Sequence, residues 1–112
     1  MRPVRLSRRL VLEAPERTAD GAGGHVTSWT ARGTLWADLR PGAGRTRDGG
    51  EVSLARAGCR IIVRAAPPGA GSRPEAGMRL VDGARVFSIE AVADHDARRR
   101  FLTCFAFEET AV

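Results

Sequence analysis

The sequence has no lysine, tyrosine, asparagine or glutamine. Its 18 basic residues are therefore all arginine, against 13 acidic ones, for a net charge of +5. GC-rich coding bias accounts for the missing lysine. It does not account for the positive surplus, which suits an acidic partner such as nucleic acid, a membrane surface or an acidic protein. Aromatics make up only 5%, too few to supply the stacking platform of a single-strand nucleic-acid binder. Two cysteines, Cys59 and Cys104, make no disulfide framework. They also lack the close pairing of a zinc site, and read as small buried hydrophobes. Long apolar runs are absent too. The longest are strand-sized, such as "IIV" at 61–63, which excludes a membrane helix. "LVL" behind the first arginines is too short for a signal-peptide core, so a cytoplasmic chain is expected. No segment of ten or more residues keeps a 3.6-residue period, which argues against helices.

What is present is a series of short strands and turns. A length of 112 residues predicts one domain, 1–112. "RRLVLEA", 8–14, alternates, with Leu10 and Leu12 on one face. "PERTADGAGG", 15–24, has the proline, Asp-Gly and Gly-Gly chemistry of a loop. "HVTSWTARG", 25–33, and "TLWADLR", 34–40, read as two strands, the second placing Leu35, Ala37 and Leu39 together. "VSLARAGCRIIVRAA", 52–66, is long for a strand, and Gly58 is a candidate bulge. "MRLVDGARVFSIEAVA", 78–93, reads as a hairpin about Asp82-Gly83, with Phe87, Ile89 and Ala91 sharing a face. "DHDARRR" is a polar turn before "FLTCFAFEE", 101–109. That last strand is apolar on both faces. Phe101, Thr103, Phe105 and Phe107 oppose Leu102, Cys104 and Ala106, so it is either central between layers or covered by a neighbouring subunit. The pattern predicts an all-β fold, a small β-barrel of about six to seven short strands with two long Gly/Pro/Arg-rich loops.

The chain offers no catalytic constellation. The residues of "DHD", 94–96, alternate in direction on an extended chain and do not converge on a metal. His25 has no partner nearby in sequence. The glycines of "GAGRTRDGG" lack the strand-to-helix setting and the lysine of a phosphate-binding loop. No catalytic, cofactor-binding or metal-binding residue is expected, and no enzyme activity.

The arginines remain. Pro41 ends a strand, and a basic loop of about 41–51 follows, carrying Arg45, Thr46, Arg47 and Asp48, with Arg40 at its start. So long a loop in a small protein is functional or disordered. A second long loop spans about 67–77. Arg56, Arg60 and Arg64 are spaced by four, which puts them on one face of an unbroken strand. That basic face is either solvated or contacts phosphates or carboxylates.

The order of features resembles a known family. "RRLVLEAP", "DGAGGHVTSW", "GTLWADLRP", a Gly/Arg loop, "CRIIVRAAP", "GMRLVDGARVFSIEAV" and "RFLTCFAFEE" follow one another over nearly the whole chain. They resemble the head–tail joining proteins (head closure or stopper proteins) of long-tailed phages and gene transfer agents. The segments Asp20 to Trp29 and Trp36 to Pro41 carry the resemblance best. It implies a structural virion protein, assembled in the bacterial cytoplasm into a phage-like particle. Its partners would be a homo-oligomeric ring of six or twelve subunits, a portal or adaptor ring above, and a tail terminator or tail tube below. The ring would close the portal channel after DNA packaging and dock the tail. The loop holding Arg40, Pro41, Arg45, Thr46, Arg47 and Asp48 would face the channel, touching packaged DNA, or a neighbouring subunit. A tail terminator ring and a free-standing basic nucleic-acid-binding barrel are the alternatives.

Overall fold

The computed structural model describes residues 3–42 and 56–109. Six strands form within them: β1 Arg8–Ala19, β2 His25–Pro41, β3 Arg56–Arg64, β4 Arg79–Asp82, β5 Arg85–Asp94 and β6 Phe101–Glu109. All neighbours are antiparallel, and the sheet closes on itself as a barrel in the order β1-β2-β3-β6-β5-β4. Closure gives each of the six strands a paired neighbour on both sides. Alternation then sends every second side chain inward. Leu10 and Leu12 of β1, Ala37 of β2, Cys59, Ile61 and Val63 of β3, Leu80 of β4, Phe87 and Ile89 of β5, and Leu102, Cys104 and Ala106 of β6 form the core. Burying each Leu, Ile or Phe contributes about 1.5–3 kcal/mol.

Several local expectations are corrected. The segments 25–33 and 34–40 are one 17-residue strand, because Gly33 does not turn the chain. Leu12 pairs with Gly33 and Glu13 with Ala31, so Arg32 is the extra residue of a bulge. Gly33 takes φ +146° there, a conformation that side chains resist. The expected loop at 15–24 shrinks to residues 20–24, since β1 continues to Ala19. Asp20 makes that turn tight, its Oδ1 accepting from the amides of Ala22 (2.8 Å) and Gly24 (3.0 Å). Gly58 is no bulge, and β3 pairs with β6 in unbroken register through Gly58 opposite Phe107. A bulge occurs instead at Glu90, between the pairs Ile89–Ala106 and Ala91–Phe105. It turns Ala91 outward and lets Val92 pack on the core in its place.

The molecule has two distinct ends. At one lie the segment 3–7, the exit of β2 at Pro41, the start of β3 and the two-residue turn Gly83–Ala84. At the other, β1 and β2 run on past the barrel as a two-stranded ribbon, Glu13–Ala19 with His25–Ala31. The connection from β3 to β4 and the turn from β5 to β6 lie at this second end. The Pro/Gly connection is packed down, with Pro74 fully buried. Arg73 donates from Nη1 to the Ala66 carbonyl at 2.6 Å.

Candidate functional site

The regular register of β3 decides where its arginines go. With Cys59, Ile61 and Val63 inward, Arg60 and Arg64 fall in one outward row, while the side chain of Arg56 lies outside the described residues. Across the ladder Arg60 stands opposite Phe105, Arg64 opposite Phe101, and Arg56 opposite Glu109. On its other side Arg60 faces Arg40. The phenylalanines of β6 therefore lie outside the barrel, and Phe105 remains 40% exposed. The Arg64 guanidinium carbon sits 5.8 Å from the centroid of Phe101, as does that of Arg100. Arg60 and Arg64 are exposed, and the described residues give neither a carboxylate partner. Basic and aromatic side chains thus alternate across two strands. Sequence reading missed this, because the two rows are some forty residues apart and only strand pairing brings them together.

Arg40 behaves differently from the residues it was grouped with. Its Nε and Nη2 donate to Asp38 Oδ2 at 3.2 and 3.0 Å, and Nη2 also donates to the Pro3 carbonyl at 3.1 Å. Asp38 is buried, and the same oxygen accepts from the Arg5 amide at 3.0 Å. The pair is a clamp that fixes the N-terminal segment along β2. Asp38, Ile62 and Thr103 lie side by side on β2, β3 and β6, and all three are buried although they point away from the core. Pro41 is exposed opposite Cys59, and the Gly42 amide adds one more ladder bond to the Gly58 carbonyl at 3.0 Å. Arg45, Thr46, Arg47 and Asp48 lie outside the described residues.

At the ribbon end, Arg79 of β4 bonds Glu13 of β1 at 2.7 Å and lies 4.0 Å over the ring of Trp29. Asp96 organises the β5–β6 turn. It accepts from the amides of Arg100 and Phe101 and from Arg100 Nε. Desolvation pushes its carboxyl upward, but those donors outweigh it and the net position is below the usual range. Arg99 takes φ +57° here, held by its amide bond to the Asp96 carbonyl. His95 Nδ1 is 2.9 Å from Thr103 Oγ1. An open cleft of ≈ 480 Å³ separates this turn from Ala65–Pro68 and Arg73.

Burial, then the charge of Glu108, pushes the Cys59 thiol up to about 11, and burial pushes Cys104 up to about 12. Both are free thiols, protonated at neutral pH and inside the core. Among the described residues no three His, Cys, Asp or Glu side chains gather as a metal site.

Comparison with known proteins covers the whole fold. A family model described as phage head completion protein matches residues 1–110. A chain in the virion of a native gene transfer agent particle is 50% identical, over 99% of this chain and 100% of that one, with a TM-score of 0.80. The solution structure of protein SF1141 from Shigella flexneri 2a has the same fold at 23% identity, with 96% of each chain covered and a TM-score of 0.62. No curated protein matches.

Proposed function

Because the chain belongs to the phage head completion protein family, we propose that it forms a ring at the head–tail junction of a virion, closes the portal channel after DNA packaging and docks the tail. The match of the family over residues 1–110 carries this reading. The likeness to a chain of a gene transfer agent particle supports it. The protein is a structural component of a phage-like particle, in contact with other head and tail proteins. In this reading the ring is a homo-oligomer of six or twelve subunits, with a portal or adaptor ring above and a tail terminator or tail tube below. No catalytic step is assigned to it.

Two features fit a joining role. The connection from β3 to β4 lies at the ribbon end, opposite the exit of β2 at Pro41, so one subunit can meet different neighbours at its two ends. The outer Arg60–Phe105 and Arg64–Phe101 rows combine uncompensated positive charge with apolar area, as protein interfaces favour. They equally suit the backbone of packaged DNA. The loop of about 41–51, with Pro41, Arg45, Thr46, Arg47 and Asp48, is assigned to the channel or to a neighbouring subunit.

Deletion of the gene in a particle-producing host, followed by electron microscopy, tests the reading. Heads that leak DNA and stand apart from tails are expected. Filled, tailed particles would overturn it.

A further inference from the structure

The ribbon has one blunted edge and one open edge. β3 pairs with β2 only from Ala37 to Pro41. From His25 to Trp36, the described residues supply no backbone partner on the β3 side of β2. The direction of its hydrogen-bonding groups follows from the turn and from Pro15. The Asp20 amide bonds the Gly24 carbonyl at 3.0 Å. Two residues on, Thr18–Val26, Glu16–Ser28 and Ala14–Thr30 are then the mutually bonded pairs. Pro15, which has no N–H, accordingly falls in a non-bonded pair with Trp29. His25, Thr27, Trp29 and Ala31 therefore direct both N–H and C=O to the open side.

The two edges differ in their protection. On β1, Pro15 removes the central donor of the free edge, and Glu13 and Arg17 flank it, the usual devices against strand addition. On β2 the run "HVTSWTARGTLW" has no proline and one arginine. Three of the four large hydrophobic side chains exposed among the described residues lie on it: Val26, Trp29 and Trp36. The bulge at Arg32 also matters. Trp29 and Trp36 are seven apart and would otherwise point oppositely; the extra residue puts both on the outer face.

We propose that the β2 edge from His25 to Ala31 is a strand-addition site that accepts an extended acidic and apolar segment of another protein of the particle. Open backbone groups specify a strand as the occupant. The charge specifies its composition. Arg32 and Arg9, which pairs with Trp36, are exposed and without carboxylate partners among the described residues, while the nearby Glu13 is taken by Arg79. A second copy fits poorly. Pairing two β2 edges opposes like charges and closes as a two-fold dimer, and pairing β2 with a neighbour's β1 meets Pro15.

The proposal rests on the particle role above, and the test separates the two. Val26→p-benzoylphenylalanine is incorporated into particles and irradiated, and adducts are mapped by mass spectrometry. The expected result is an adduct with an Asp/Glu-bearing segment of a different particle protein. Thr27→Pro, which deletes one open-edge donor without touching a bond to β1, lowers its yield at least tenfold. Arg32→Glu, which keeps the backbone, does the same by charge. Particles that contain the chain at the junction but give no adduct, an adduct only with another copy, or yields unmoved by both variants would overturn the site and leave the particle role intact. Absence of the chain from particles would overturn both.

Discussion

Arg79 and Trp29 form the hinge pin between barrel and ribbon. The guanidinium carbon lies 4.0 Å from the ring centroid, while the same group bonds Glu13 at 2.7 Å. One side chain of β4 thereby holds both strands of the ribbon at the point where they leave the wall. Arg79→Ala loses the stacking and the partly buried ion pair, together about 1–2 kcal/mol. A fall in Tm of roughly 4–8 °C per kcal/mol is expected. A double-mutant cycle with Trp29→Leu, followed by thermal denaturation, separates the two contributions.

Arg40→Met removes the main partner of a buried carboxylate. Asp38 would retain the bond from the Arg5 amide. Breaking a buried pair from one side costs about 3–5 kcal/mol. Removing both charges by Asp38→Asn with Arg40→Met is expected to cost less than the single arginine change. Urea denaturation measures the difference, and faster amide exchange at Arg5 and Ser7 would report release of the N-terminal segment.

The two thiols set the alkaline limit. Both are raised above the ordinary value, to about 11 for Cys59 and about 12 for Cys104. The folded state therefore prefers the neutral thiol. That stability is complete below about pH 9, the ordinary thiol value, and is lost as pH rises through 11 and 12. Urea midpoints should stay flat to about pH 9 and then fall, and less steeply in Cys104→Ala. At pH 8, iodoacetamide should modify neither thiol in the native protein and both in denaturant.

The acidic limit has the opposite sign. Asp20, Asp96 and Glu108 are all held below their ordinary values, Asp20 by the Ala22 and Gly24 amides and Glu108 by Arg85. Their contribution is present above the unfolded carboxylate range and is lost as pH falls through the folded values. Asp96→Asn should flatten the acid limb of the stability curve and raise amide exchange at Arg100 and Phe101.

Arg60→Glu and Arg64→Glu reverse charge on an exposed strand face. Stability is expected to change by less than ~0.5 kcal/mol for each. Occupancy of the protein in particles should fall severalfold if this face meets an acidic neighbour. Quantitative immunoblotting of purified particles, beside a melt of each variant, checks the two readouts together.

The strands themselves were legible where alternation was clean. Leu10 and Leu12, Leu35 to Leu39, and the Asp82-Gly83 hairpin read directly, because a half-buried strand writes its period into the chain. What misled was glycine and proline. Gly33 and Gly58 carry the same local signal, yet one sits beside a bulge and the other in an unbroken ladder. Pro15 reads as a loop residue, yet it sits in a strand whose outer side needs no donor. The even spacing of Arg60 and Arg64 on β3 puts both on the outward face, where the described structure has them exposed. Their phenylalanine neighbours, and the capture of Arg40 by Asp38, depend on pairing and on one buried carboxylate, which no local pattern reports.

Arg32 lets β2 carry one residue more than the strand it pairs with and still keep every partner. Deleting that single residue would leave Gly33 opposite Leu12 and Ala31 opposite Glu13, now consecutive in the chain, and Trp29 and Trp36 would stay together on the outer face. A change of one codon at this point is therefore absorbed by the bulge, and reverses neither the wall nor the ribbon. Residue 32 is the place where related chains can differ in length at little cost to folding and with the same surface left on show.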